Sequence, residues 1–138
     1  MEGDGQADLT VHGGITKAVY AYPSEHYEYW RRESQRDLAW GMFGENLTIR
    51  GLMETSVRIG DRFRIGSTQL TVTQPRSPCY KLGIKFENMD MVGRFLASGR
   101  SGFYLAVNVE DEIGSGDLIT LISHGDGVTV ADAFRSDG

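Results

Sequence analysis

A chain of 138 residues, 40% hydrophobic and 24% charged, has the length of one domain and the balance of an ordinary soluble protein with a core to bury. Its net charge of -5 argues against non-specific nucleic-acid binding, which draws on a basic face to neutralise phosphates. The single cysteine excludes an intrachain disulfide, no apolar run approaches the roughly 20 residues of a spanning helix, and the acidic, glycine-rich first residues are unlike a signal peptide. A cytoplasmic protein with no nucleic acid polymer and no membrane among its partners is expected.

One domain is expected over residues 1–138, with a flexible start over 1–8 and a frayed tail over 125–138. Glu2 to Asp8 reads as loop, and Leu9 to Val11 as a short strand ending at His12-Gly13-Gly14. Two glycines there let backbone N–H groups approach an anion, with Lys17 three residues on as a point charge, although such a triplet by itself is usually only a tight turn. Ala18 to Tyr22 reads as a strand with Tyr20 and Tyr22 on one face. A helix follows Pro23, with Glu25 and Glu28 early and Arg31 and Arg32 late, matching the helix dipole. Tyr27 and Trp30 form its buried stripe, and His26 is expected at or near the surface.

Residues 36–43 read as a loop with a helical turn. Leu47 and Ile49 alternate with polar residues as a half-buried strand does, with Glu45 and Asn46 at its mouth. A carboxylate and an amide placed there suit either a polar heterocycle or the turn's own backbone. Phe63 with Ile65, then Leu70 with Val72, mark the inward faces of two further strands. The second runs into Gln74-Pro75-Arg76-Ser77-Pro78-Cys79-Tyr80-Lys81. Each proline fixes its own φ and pushes the preceding residue toward an extended conformation, so this stretch reads as a stiff loop and not a helix. A lone cysteine is most often buried and inert. Here Arg76 and Lys81 are close enough in sequence to favour the thiolate, the form that attacks electrophiles or binds soft metals.

Beyond it, Asn88 or Asp90 caps a helix carrying Val92, Phe95 and Leu96 as its stripe, and Gly99 ends it. Gly102 to Val109 and Leu118 to Ile122 read as strands, and Val128 to Phe134 as a last strand or the start of a helix. Ile113-Gly114-Ser115-Gly116-Asp117 echoes Ile59-Gly60-Asp61, as though one turn-into-strand device were used twice. Many short strands with glycine turns and few helices imply a mostly β fold, a mainly antiparallel barrel with helices over its openings.

His12-Gly13-Gly14 with Lys17 to Tyr20, the Tyr22-Pro23 helix start, Phe43 to Leu47, Gly60-Asp61 and above all Gln74 to Leu82 together resemble a MOSC domain. Within that family the chain is most similar to the stand-alone bacterial branch linked to molybdenum-dependent reduction of N-hydroxylated bases. The resemblance implies a MOSC-type β-barrel here lacking the usual opening strand or strands, which would leave a sheet edge for a second subunit to cover as a homodimer. It implies a molybdopterin-type molybdenum cofactor, chemistry independent of pyridoxal phosphate, a small N-hydroxylated substrate and an external electron donor, since no second cysteine is present to ligate an iron–sulfur cluster. By position, Cys79 becomes the catalytic, metal-proximal thiolate, with Arg76 and Lys81 near the cofactor's anionic groups. His12, Gly13 and Lys17 line the pocket from the first loop, and Glu45 and Asn46 from the third. Two other readings go with the same motif, a sulfur carrier using a Cys79 persulfide and a non-catalytic interaction domain.

Overall fold

The computed structural model describes residues 5–11, 18–77, 80–109, 111, 113–114 and 116–137, with the backbone alone at 5–11, 80, 81 and 137. In chain order the elements are β1 (Gly5–Val11), β2 (Ala18–Pro23), α1 (Glu25–Ser34), β3 (Leu47–Arg50), β4 (Arg62–Ile65), β5 (Thr68–Pro75), α2 (Tyr80–Phe86), α3 (Met91–Ser98), β6 (Phe103–Val109), β7 (Leu118–Ser123) and α4 (Val130–Asp137). The strands close into a barrel in the order β1-β3-β2-β6-β5-β4-β7. Its neighbours are antiparallel apart from β2 and β3, which run parallel.

The pleat explains why β2 is buried along almost its whole length. Alternate side chains point to opposite faces, so Val19 and Ala21 enter the barrel while Tyr20 and Tyr22 point outward. Inside, they meet Leu47, Phe63, Leu70, Val72 and Phe103. Outside, the two tyrosines are roofed by Tyr27 and Trp30 of α1, Phe43, and Phe95 of α3, a second and mainly aromatic core. The apolar stripe of α1 was legible because Tyr27 and Trp30 lie three apart and both are buried.

Several expectations are corrected. The strand expected to begin at Leu9 begins at Gly5, within the stretch read as a flexible start. No open edge remains beside it: Gly5 pairs with Ile119 and Gln6 with Leu118, so β1 closes the barrel against β7. The tail expected to fray over 125–138 instead carries α4, fastened where Val130 N–H donates to Val57 O at 2.8 Å and Ala131 N–H to Glu54 O at 2.9 Å. Tyr80 and Lys81, read as the end of a stiff loop, are instead the first residues of α2, a helix whose start the prolines obscured. The echoed turn is real: Asp61 Oδ2 accepts from Arg58 N at 2.9 Å and Asp117 Oδ2 from Gly114 N at 2.7 Å, each three residues back.

Candidate functional site

The last paired residue of β5 is Pro75, opposite Phe103, and Arg76 follows it. There the chain leaves the sheet and turns its guanidinium across the outer aromatic core. Arg76 Nη1 donates to the Phe43 carbonyl at 2.5 Å and lies 3.5 Å from the Tyr20 hydroxyl. The guanidinium carbon is 4.9 Å from the Tyr20 ring centre and 5.6 Å from that of Phe95, within cation–π range of both.

Phe43 is gripped from its other side as well. Its N–H donates to Glu45 Oε1 at 3.1 Å, while Glu45 Oε2 accepts from the Tyr27 hydroxyl at 2.5 Å and from Thr48 Oγ1 at 3.0 Å. The Glu45 carboxylate is buried and spent on its own turn and on α1. Burial, reinforced by that carboxylate, pushes the Tyr27 phenol well above its ordinary range, and burial does the same to Tyr20, against the opposing pull of Arg76. Both phenols therefore act here as hydrogen-bond donors.

Asn46 works with the backbone of β2. Its Oδ1 accepts from Tyr20 N at 2.8 Å, and its own N–H donates to Tyr20 O at 2.8 Å. One residue later, Leu47 pairs with Val11, the end of β1. The first loop is thus entered from a residue paired beside Asn46 and left at Ala18, two residues before Tyr20. The described flanks of the three loops expected to build the site meet around Tyr20, although the loops lie far apart in sequence.

Among the expected site residues, the structure brings together Glu45, Asn46 and Arg76. His12, Gly13, Lys17 and Cys79 lie outside the described residues, and Lys81 is described by its backbone alone, within α2. What the sequence reading missed is the aromatic bed itself. Tyr20 and Phe95 had been read as apolar faces of a strand and a helix, and Phe43 as part of a loop, without any hint that a cation would lie on the first two and bond the carbonyl of the third, because its hydrogen bonds join residues 33 and 56 apart.

His26 is also not near the surface. It is buried with Glu54, its Nε2 2.8 and 3.0 Å from the two carboxylate oxygens. Glu54 Oε2 also accepts from Gly102 N at 2.7 Å, so the pair ties α1 to the chain entering β6. Among the described residues no group of three or more His, Cys, Asp or Glu is placed to hold a metal ion, and no helix is long and apolar enough to cross a membrane. A cavity of about 650 Å³ is lined by Pro75 and Ser77, by Leu96 and Ala97 of α3 and by Phe134 of α4.

The chain is matched over residues 8–120 by the family model of the MOSC domain. The chain belongs to the MOSC domain family. The uncharacterized protein YflK of Bacillus subtilis (strain 168) is 47% identical over 136 residues, covering 98% of this chain and 62% of that protein. A protein named reductase from Gibberella moniliformis is 36% identical over 115 residues, 80% of this chain but 20% of that one. The crystal structure of YiiM from Geobacillus stearothermophilus superposes with a TM-score of 0.84 at 38% identity, covering 92% of this chain and 67% of that one. This MOSC chain therefore spans about two thirds of the relatives that match it end to end.

Proposed function

We propose that this MOSC domain binds a molybdopterin-type molybdenum cofactor and, in the cytoplasm, reduces small N-hydroxylated compounds with electrons from an external donor. The observation that carries the reading is the meeting, around Tyr20, of the flanks of three loops that bear a thiol, cations and backbone amides. That donor set fits the group in its chemistry. A thiolate is a suitable soft ligand for a molybdenum oxo centre, and cations with free amides suit a pterin that ends in a phosphate.

Cys79 is the residue that would ligate the metal. Lys17 and Lys81 would neutralise the phosphate, His12 and Gly13 would contribute donors from the first loop, and Asn46 would hold that loop's flank in place through Tyr20. The bound cofactor supplies a metal able to accept oxygen and pass electrons. In the net change the N–O bond breaks, two electrons arrive from the donor, two protons are taken up, and the amine and water leave. The protein's share is to hold the thiolate, orient the substrate's N–O bond and deliver protons.

The test is turnover. Chain purified from a molybdopterin-producing host and supplied with a reduced viologen dye is expected to consume dye on addition of an N-hydroxylated base and to release the parent base. Cys79→Ser is expected to lose that turnover. Dye consumption equal in wild type and Cys79→Ser would count against the reading, as would an added sulfur on the intact mass, lost on reduction, with no turnover.

A further inference from the structure

The geometry points to a binding site for a small aromatic anion in the cavity between α3, α4 and the end of β5. Nothing in it depends on a molybdenum cofactor being bound.

At about 650 Å³ the cavity falls within the size range of small-molecule sites, roughly 300–1,000 Å³. Its walls are mainly apolar, made by Leu96 and Ala97 of α3, Phe134 of α4, and Pro75 at the end of β5. Leu96 keeps 47% of its surface exposed, whereas Phe95 beside it in sequence is fully buried. An apolar side chain left open in a cavity wall gains by burial when a ring enters. Gly93 belongs to the same wall, within α3, although glycine is a poor helix former. Packing inside the chain does not call for it, since a Cβ there would meet no atom within 4 Å. Alanine would fit and would strengthen the helix, so what the bare backbone contributes is room.

Among the described residues lining the cavity, Arg135 carries the one charge and no acid is present, in a chain whose net charge is -5. Its Nη2 is bonded to Asp132, an exposed pair of the kind that water screens. The other donors of the fork are left for an anion. Ser77 adds a hydroxyl with no hydrogen-bond partner among the described residues, whereas that of Ser98 is spent on Phe95 O at 2.8 Å. Apolar walls with one cation and one open hydroxyl suit a flat ring that bears a carboxylate, sulfonate or phosphate.

Two dyes that differ by one group separate the parts of the site: anilinonaphthalene sulfonate, and phenylnaphthylamine, which has the same rings without the sulfonate. Titrated into the purified chain and followed by fluorescence, the sulfonate is expected to saturate one site per chain and to bind more tightly than its neutral analogue. Gly93→Leu puts a side chain into the cavity while improving helix propensity, and is expected to abolish binding of both dyes without lowering the melting temperature. Arg135→Gln is expected to weaken the sulfonate about fivefold and to leave the neutral dye unchanged. Wild-type affinity in Gly93→Leu, or no saturable binding by the wild type, overturns the proposal. An Arg135→Gln effect that is absent, or the same for both dyes, overturns it equally. A wild-type dimer that Gly93→Leu splits, seen by sedimentation, would also overturn it, by assigning the cavity to a second copy of the chain. Should circular dichroism show Gly93→Leu unfolded, Ala97→Leu in the same wall decides: lost binding supports the site, and kept binding overturns it.

Discussion

Arg76 and Glu45 hold one residue from both ends: Arg76 Nη1 donates to the Phe43 carbonyl at 2.5 Å, and Glu45 Oε1 accepts from the Phe43 N–H at 3.1 Å. An acid and a base that the sequence places 31 positions apart thus meet through two hydrogen bonds to one residue on the outside of β2. Their charges are spent on the turn between α1 and β3.

Tyr27 is the donor on which the Glu45 carboxylate most depends, and its hydroxyl also accepts from Met42 N at 3.1 Å. Tyr27→Phe removes both bonds and leaves the ring packing intact. The expected loss is about 1–3 kcal/mol, the cost of a buried polar group left short of a partner, read as a lower urea midpoint with an unchanged slope. A midpoint equal to wild type would mean that the Glu45 network contributes nothing to stability.

Gly102 is required by space as well as by conformation. Its φ is +67°, and a Cβ would lie 2.5 Å from Ala21 O and 2.8 Å from atoms of both Tyr20 and Tyr22. Gly102→Ala is expected to cost about 1–3 kcal/mol from overpacking, with roughly 1–2 kcal/mol more for the left-handed backbone. Gly116 has a φ of +85° with open space around it, so Gly116→Ala is expected to show the backbone cost alone. Thermal unfolding of the pair checks this, and equal losses would show that the close approach at Gly102 is unimportant.

Glu54 joins three segments by accepting from Gly102 N while bonded to His26. Glu54→Ala strands the ring nitrogen and the amide together and is expected to cost about 3–5 kcal/mol. Glu54→Gln keeps an oxygen for Gly102 and is expected to cost clearly less. Denaturant titration of the two variants would reveal equal losses if the amide bond does not matter.

Alkaline pH is expected to unfold the protein through its tyrosines. Burial is the main force raising Tyr20, Tyr22 and Tyr27 far above the ordinary phenol value of 10.0. Below pH 10 both folded and unfolded chains keep these protons. Above it the unfolded chain releases them and the folded chain does not, so stability is full below pH 10 and falls as pH rises, by about 1.4 kcal/mol per unit for each of the three. Phenolate absorbance and far-UV circular dichroism should therefore change together for these residues. Ionisation of all tyrosines while the fold persists would contradict the burial assigned to them.

The barrel was legible because its strands obey period two: Leu47 and Ile49, Phe63 and Ile65, Leu70 and Val72, Phe103 and Leu105 all prove to be inward pairs. The repeated aspartate turn was legible because its partner lies three residues away. Cys79 stood out for its chemical surroundings, whereas the roles of Arg76 and Glu45 did not, since their partners are set by which strands become neighbours. The parallel pairing of β2 with β3 brings Tyr20 to Asn46, and no local pattern announces it. His26 was misplaced for the same reason, its partner Glu54 lying 28 positions away. The tail misled because its polar last residues conceal two buried anchors, Val130 and Phe134.

Molybdenum content bears most directly on the central claim, that Cys79 holds a molybdenum cofactor in this MOSC barrel. Mass-spectrometric metal analysis of chain made in a molybdopterin-producing host is predicted to find molybdenum approaching one atom per chain in wild type and close to none in folded Cys79→Ser. Background molybdenum in both proteins, or equal loading of both, would contradict it.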